Sequence, residues 1–160
     1  MTHLVEIIDG SLAVPYKRLS DFLYGFRLPD TNYKYLVNFT QDGDSLEVNF
    51  KVFSEDDSLA DEGSHDRIDI GMRLAVRVFH TVYKILKDFL DTTLDPVDYV
   101  TFGAKNSEPS RVRFYRTLSA QLAKSYNQSS DAVIEEQDTF RDEASRQTIF
   151  TVPVFVDAAK

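Results

Sequence analysis

Three histidines, His3, His65 and His80, are the side chains best suited to move protons near neutral pH or to hold a metal. His65 stands among carboxylates, with Asp61 and Asp66 close by in the run SEDDSLADEGSHD at 54–66. A metal site needs several fixed ligands, and Glu55, Asp56, Asp57, Asp61, Glu62 and Asp66 lack the alternating ligands and closing Glu of an EF-hand loop. A solvated acidic loop is the reading their spacing favours. Glu135 and Glu136 are adjacent, and neighbours on a strand point to opposite faces, so adjacency alone makes no glycosidase pair. There is no G-x-S-x-G elbow, P-loop or H-E-x-x-H helix, and no cysteine to act as nucleophile or thiolate ligand. Neither a metal ion nor nucleophilic hydrolysis is expected.

A second chemical feature is cationic. Arg73, Arg77, His80, Lys84 and Lys87 step by four and three along one face of a helical pattern. Such a ridge suits an acidic partner or a phosphate. The simpler reading is a solvated face offset by acidic loops, with His80 at the surface. The whole chain carries a net charge of −8. That balance disfavours nucleic-acid binding, which needs Lys and Arg against phosphates. It suits solubility, or an acidic decoy that fills a nucleic-acid groove on another protein, with the carboxylates of 55–66 and 135–143 on one surface.

These residues must be held by a scaffold, and 160 residues at 42% apolar composition are enough for one domain, expected over 1–160. Residues 4–8 suit a strand. Leu19, Phe22, Leu23 and Phe26 recur at three- and four-residue steps, which predicts a short helix over 16–26. Alternating apolar residues at 33–39 and 46–53 flank Asp42-Gly43, a strong hairpin signal, with Tyr35, Val37 and Phe39 on one face and Leu46, Val48 and Phe50 on the other strand's matching face. A brief strand is expected at 68–70. A long helix follows over 72–90, with Met72, Ala75, Phe79, Val82, Leu86 and Phe89 as its apolar stripe.

The segment 99–126, YVTFGAKNSEPSRVRFYRTLSAQLAKSY, reads as strand, capped turn and amphipathic helix in succession. Ser107 is a suitable cap, Pro109 fits a first turn, and Val112, Tyr115, Leu118, Leu122 and Tyr126 form the buried stripe. Two last strands are expected at 132–134 and 149–155. The order β-α-β-β-β-α-β-α-β-β predicts an α+β sandwich on a mixed, mostly antiparallel sheet, with a right-handed parallel crossover over 68–102. No apolar stretch reaches the length of a membrane span, and MTHLVEIIDG has no basic n-region, so a cytoplasmic or virion-associated protein without a signal peptide is expected.

That order of elements resembles the GNAT-type N-acetyltransferases. In that family the fifth strand is often followed by an Asn and a helix bearing an Ala-Ile/Val-x-Leu/Phe-Tyr-x-x-Leu-Gly-Phe pattern; here Asn106, Val112, Phe114, Tyr115 and Leu118 fall in register. The resemblance implies that Tyr115 would protonate a departing coenzyme A thiolate and that Asn106 would belong to the cofactor site. It also implies a Gly-rich loop before the long helix, whose N–H groups would hold the pyrophosphate of acetyl-CoA. Only Gly71 matches there, and Arg73 stands where a second small residue is usual. Arg111, Ser119 and Ala120 also depart from the pattern.

The chain is similar as well to small tailed-phage proteins with a helix of the AFRVFATV type, a strand of the IxFSA type and a helix of the SRxRLYxRL type. The matching residues are 75–82, 100–104 and 110–118. This resemblance implies a phage accessory protein without a cofactor, binding a host or phage protein. Acetyl-CoA-dependent acyl transfer and nucleic-acid mimicry are the alternatives.

Overall fold

The structure, a computed structural model, describes residues 12–29, 31–53, 71–138 and 146–158. Among them are seven strands: β1 (Tyr16–Ser20), β2 (Leu23–Arg27), β3 (Lys34–Asp42), β4 (Ser45–Phe53), β5 (Val97–Lys105), β6 (Ile134–Asp138) and β7 (Gln147–Val156). They form a mixed sheet in the order β1-β2-β3-β4-β5-β7-β6. Two α-helices, α1 (Gly71–Thr92) and α2 (Pro109–Ser125), follow β4 and β5 in the chain. The fold is α+β. The chain gathers into two units, Met1–Asn38 with Phe50–Phe89 and Phe39–Asn49 with Leu90–Lys160.

In the first unit, β1 pairs antiparallel with β2 and β2 with β3, placing Phe26 beside Tyr35 and Tyr24 beside Val37. Phe26 and Tyr35 stack at 4.9 Å with planes 1° apart. This overturns the helix expected over 16–26. Tyr24, Phe26 and Leu28 are buried at every second position, and that strand period prevails over the helical spacing of Leu19 and Phe22, which are 53% and 44% exposed. Beyond β2 the chain turns on Thr31, whose Oγ1 donates to the Leu28 carbonyl at 2.9 Å.

The expected hairpin is present. Gly43 sits at φ 62° in its turn, a left-handed value that glycine enters without steric cost. Tyr35, Val37, Phe39, Leu46, Val48 and Phe50 are all buried, as the alternation predicts. In α1, Val82, Leu86 and Phe89 of the expected stripe are buried, while Ala75 is exposed and Phe79 half-buried. Val78 and Ile85 complete the inward line instead.

In the second unit β5 runs parallel to β4, with Val48 beside Phe102, and antiparallel to β7, with Phe102 beside Phe150. The parallel step therefore leaves from β4; residues 4–8 and 68–70 lie outside the described residues. β6 pairs with β7 and begins at Ile134, later than expected, because Ser130–Ala132 form a 3-10 turn. Val100, Phe102 and Ala104 of β5 and Thr148, Phe150 and Val152 of β7 are buried at every second position, and Tyr115, Leu118, Ser119, Leu122 and Ala123 of α2 are buried at helical spacing. Among the described residues no helix is long and apolar enough to cross a membrane.

Candidate functional site

Where β5 ends, the chain makes a tight turn into α2, and the turn is held from several sides. The Asn106 N–H donates to the Arg146 carbonyl at 2.8 Å, one residue beyond the Lys105–Gln147 pair of the ladder. The buried Thr148 hydroxyl donates to Asn106 Oδ1 at 2.6 Å. Glu108 N–H then closes on the Lys105 carbonyl at 2.9 Å, and Pro109 opens the helix at a position where its missing N–H costs nothing. The cap is Glu108, not the Ser107 the sequence suggested, and its side chain makes no capping bond. It pairs instead with Arg111, Nε to Oε2 at 3.9 Å.

The first turns of α2 and Thr148 of β7 border a shallow groove of about 390 Å³, open to solvent and lined by Asn106, Pro109, Val112, Arg113, Arg116 and Thr148. Arg113 Nη2 donates to Ser110 Oγ at 3.0 Å. Arg116 Nη2 donates to Glu135 Oε1 on β6 at 2.8 Å, and its guanidinium lies 5.5 Å from the Phe150 ring centroid. The Thr148 hydroxyl occupies one lone pair of Asn106 Oδ1, and this bond orients the amide, whose NH₂ group is the donor it can offer a ligand. The lining thus combines two guanidiniums and an amide donor over an apolar floor of Pro109 and Val112.

The residues that family resemblance grouped fall in different surroundings. Asn106 lines the cleft; Tyr115 does not. Tyr115 is 0% exposed, stacked on Phe102 at 5.3 Å and edge-on to Phe114 at 6.0 Å. Gly71 and Arg73 belong to the first turn of α1, in the other unit. Arg113, Arg116 and Thr148 were not singled out from sequence. The i, i+3 spacing of the two arginines was a readable signal. Thr148, 42 residues from Asn106, gave none.

The cationic ridge of α1 is not the solvated face expected. Arg77 Nε donates to the Leu12 carbonyl at 3.2 Å, and Lys84 Nζ stands 5.6 Å from the Tyr16 ring centroid. His80 is buried, not the surface residue expected, and that burial holds its imidazole below the usual histidine range. The described part of the ridge is thereby partly covered by the chain that leads into β1. His3, His65 and the acidic run at 54–66 lie outside the described residues. Among the described residues, no group of three His, Cys, Asp or Glu side chains is placed to hold a metal ion.

Comparison with known proteins adds no identification, since no protein family, curated protein or solved structure matches this chain.

Proposed function

We propose that this chain is a phage-type accessory protein whose GNAT-like scaffold over 1–160 serves as a non-catalytic module for binding a host or phage protein. The observation that carries this reading is the burial of Tyr115. A proton donor must come within hydrogen-bond reach of the atom it protonates. Tyr115, to which the thiolate-protonating role would transfer, has no exposed surface and is packed as a core aromatic against Phe102. The cofactor loop supports the same reading, because Arg73 replaces the small residue that would let a pyrophosphate approach the backbone. The parallel β4–β5 pair, with a helix following each strand, is in keeping with the scaffold. In this reading the protein needs no cofactor, does not contact nucleic acid directly, and works in the host cytoplasm or on the virion.

A thermal-shift titration with acetyl-CoA and free coenzyme A tests it. A ligand specific for the folded state at a hundredfold excess over its dissociation constant adds roughly 2.7 kcal/mol, a visible rise in Tm. The binding-module reading expects no saturable shift at millimolar ligand. A saturable shift together with acetylation of an amine would overturn it in favour of an N-acyltransferase.

A further inference from the structure

We propose that the cleft beside Asn106 takes a carboxylate borne by a peptide of the partner protein, with Arg113 as the principal cationic contact. The naming of a protein partner rests on the binding-module reading; the carboxylate chemistry rests on the cleft itself. Of the polar groups that line it, the Asn106 amide nitrogen and the two guanidiniums are donors, while the Thr148 hydroxyl gives its proton to Asn106. The amide nitrogen of Asn106 is fixed toward that role by the Thr148 hydroxyl on its oxygen. Arg113 and Arg116 are guanidiniums, which have no acceptor atom and match carboxylates in a two-pronged geometry.

The charge in the cleft selects a monoanion. Arg116 is already neutralised in part by Glu135 at 2.8 Å, which leaves about one unbalanced positive charge, that of Arg113. The Arg116–Glu135 pair also shows within this protein that a carboxylate can be seated at the rim, both side chains being about half exposed. A polyanion would meet the repulsion of a chain with net charge −8, whereas a single carboxylate is held by short-range contacts that this repulsion scarcely opposes. Pro109 and Val112 supply an apolar wall for the group next to the carboxylate. The groove of about 390 Å³ is open to solvent, so it offers a surface seat for a carboxylate and the residue that bears it and does not enclose them.

Two peptide sources offer this chemistry, a C-terminal carboxylate and an Asp or Glu side chain. They are separated by titrating the ¹⁵N-labelled full chain with acetyl-Gly-Gly-Val carrying a free terminus, the same peptide as its amide, and acetyl-Gly-Glu-Gly-amide. Sodium phosphate and acetyl-CoA form two further arms. The expected result is saturable movement of the Asn106 side-chain amide and Arg113 Nε–H signals with at least one carboxylate peptide and not with the neutral amide. Arg113→Ala should weaken that binding roughly tenfold or more, about 1.4 kcal/mol, with its remaining amide spectrum unchanged. Arg113→Lys should recover only part, since it restores charge without the paired donors.

No saturable movement with either carboxylate peptide, or equal affinity in Arg113→Ala, would overturn the proposal. So would tighter binding of phosphate than of both peptides. Acetyl-CoA that moved signals of the first turn of α1 and was turned over would instead defeat the binding-module reading. The carboxylate result would still be decided by Asn106 and Arg113.

Discussion

The rings of Tyr115 and Phe102 stack with their centroids 5.3 Å apart and their planes 28° from parallel, both fully buried between α2 and β5. Strand residue and helix residue thus meet through their faces, and the contact ties α2 to the sheet of its unit. Tyr115 is therefore first a packing residue. Tyr115→Ala should destabilise by about 3–5 kcal/mol, the cost of removing a large buried aromatic. Tyr115→Phe keeps the ring and should cost less than about 1.5 kcal/mol. Urea denaturation of the two variants measures this difference, and similar midpoints for both would refute the packing role. If acyl transfer were the activity, Tyr115→Phe would abolish it while leaving the midpoint nearly unmoved.

The segment before β1 is fastened to α1 at the Leu12 carbonyl, by Arg77, and at Val14, by one hydroxyl. Val14 N–H donates to Thr81 Oγ1 at 2.9 Å, and the same hydroxyl donates to the Arg77 carbonyl at 2.7 Å, with Val14 and Thr81 both buried. Thr81→Val keeps the shape but leaves the Val14 N–H without that acceptor in a dry site. A buried donor stripped of its acceptor costs about 1–3 kcal/mol. Thr81→Ser retains the hydroxyl and should cost less. Faster amide exchange at Val14 in Thr81→Val, with exchange in β7 unchanged, is the expected signature.

What could be read from the sequence divides along the distance over which each signal acts. The hairpin at Gly43 was legible because turn chemistry and alternation lie within twenty residues of each other and agree. The 16–26 segment misled because its apolar residues fit both periods, and only pairing with β3, which lies later in the chain, decides which are buried. Phe22, for instance, keeps 44% exposure although its ring centroid lies 5.8 Å from that of Phe89. The cleft was half legible. Asn106 and the Arg113–Arg116 spacing are local, whereas Thr148 and Glu135 reach the same place only through the register of β5, β7 and β6.

Gly43 offers a test of backbone conformation separate from packing. A Cβ added there would meet nothing within 4 Å, so only the left-handed φ of 62° opposes a side chain. Gly43→Ala should therefore cost about 1–2 kcal/mol, and Gly43→Asn less, since asparagine visits this region more readily. Chemical denaturation of both variants would show it. Equal costs would mean that the turn is not held at this conformation in solution.

Asp98 should make stability fall as pH rises. Its N–H donates to the Asp44 carbonyl at 2.8 Å, which sets the two residues side by side where β4 begins and β5 starts. Partial burial raises the Asp98 carboxyl above the usual range; the hydrogen bond with the Asp44 side chain and the charges of Asp44 and Asp157 add to this. A carboxyl whose folded value lies above its unfolded value of roughly 3.9 binds its proton more tightly in the native state. The folded state thus gains stability as pH falls through the raised value, and loses it as pH climbs back toward neutrality. His80, with its value lowered by burial, works the other way, since protonating it below roughly 6.5 favours the unfolded chain. Replacing one group at a time separates the two. Asp98→Asn should raise Tm at pH 7 and lose that advantage below the unfolded carboxyl value, because Asp98 is then protonated in both states. His80→Phe should remove only the decline on the acidic side of 6.5. Thermal melts of both variants across this range give the answer, and an Asp98→Asn variant that melted below the parent at pH 7 would show that the Asp98 carboxylate is stabilising rather than strained by its neighbours.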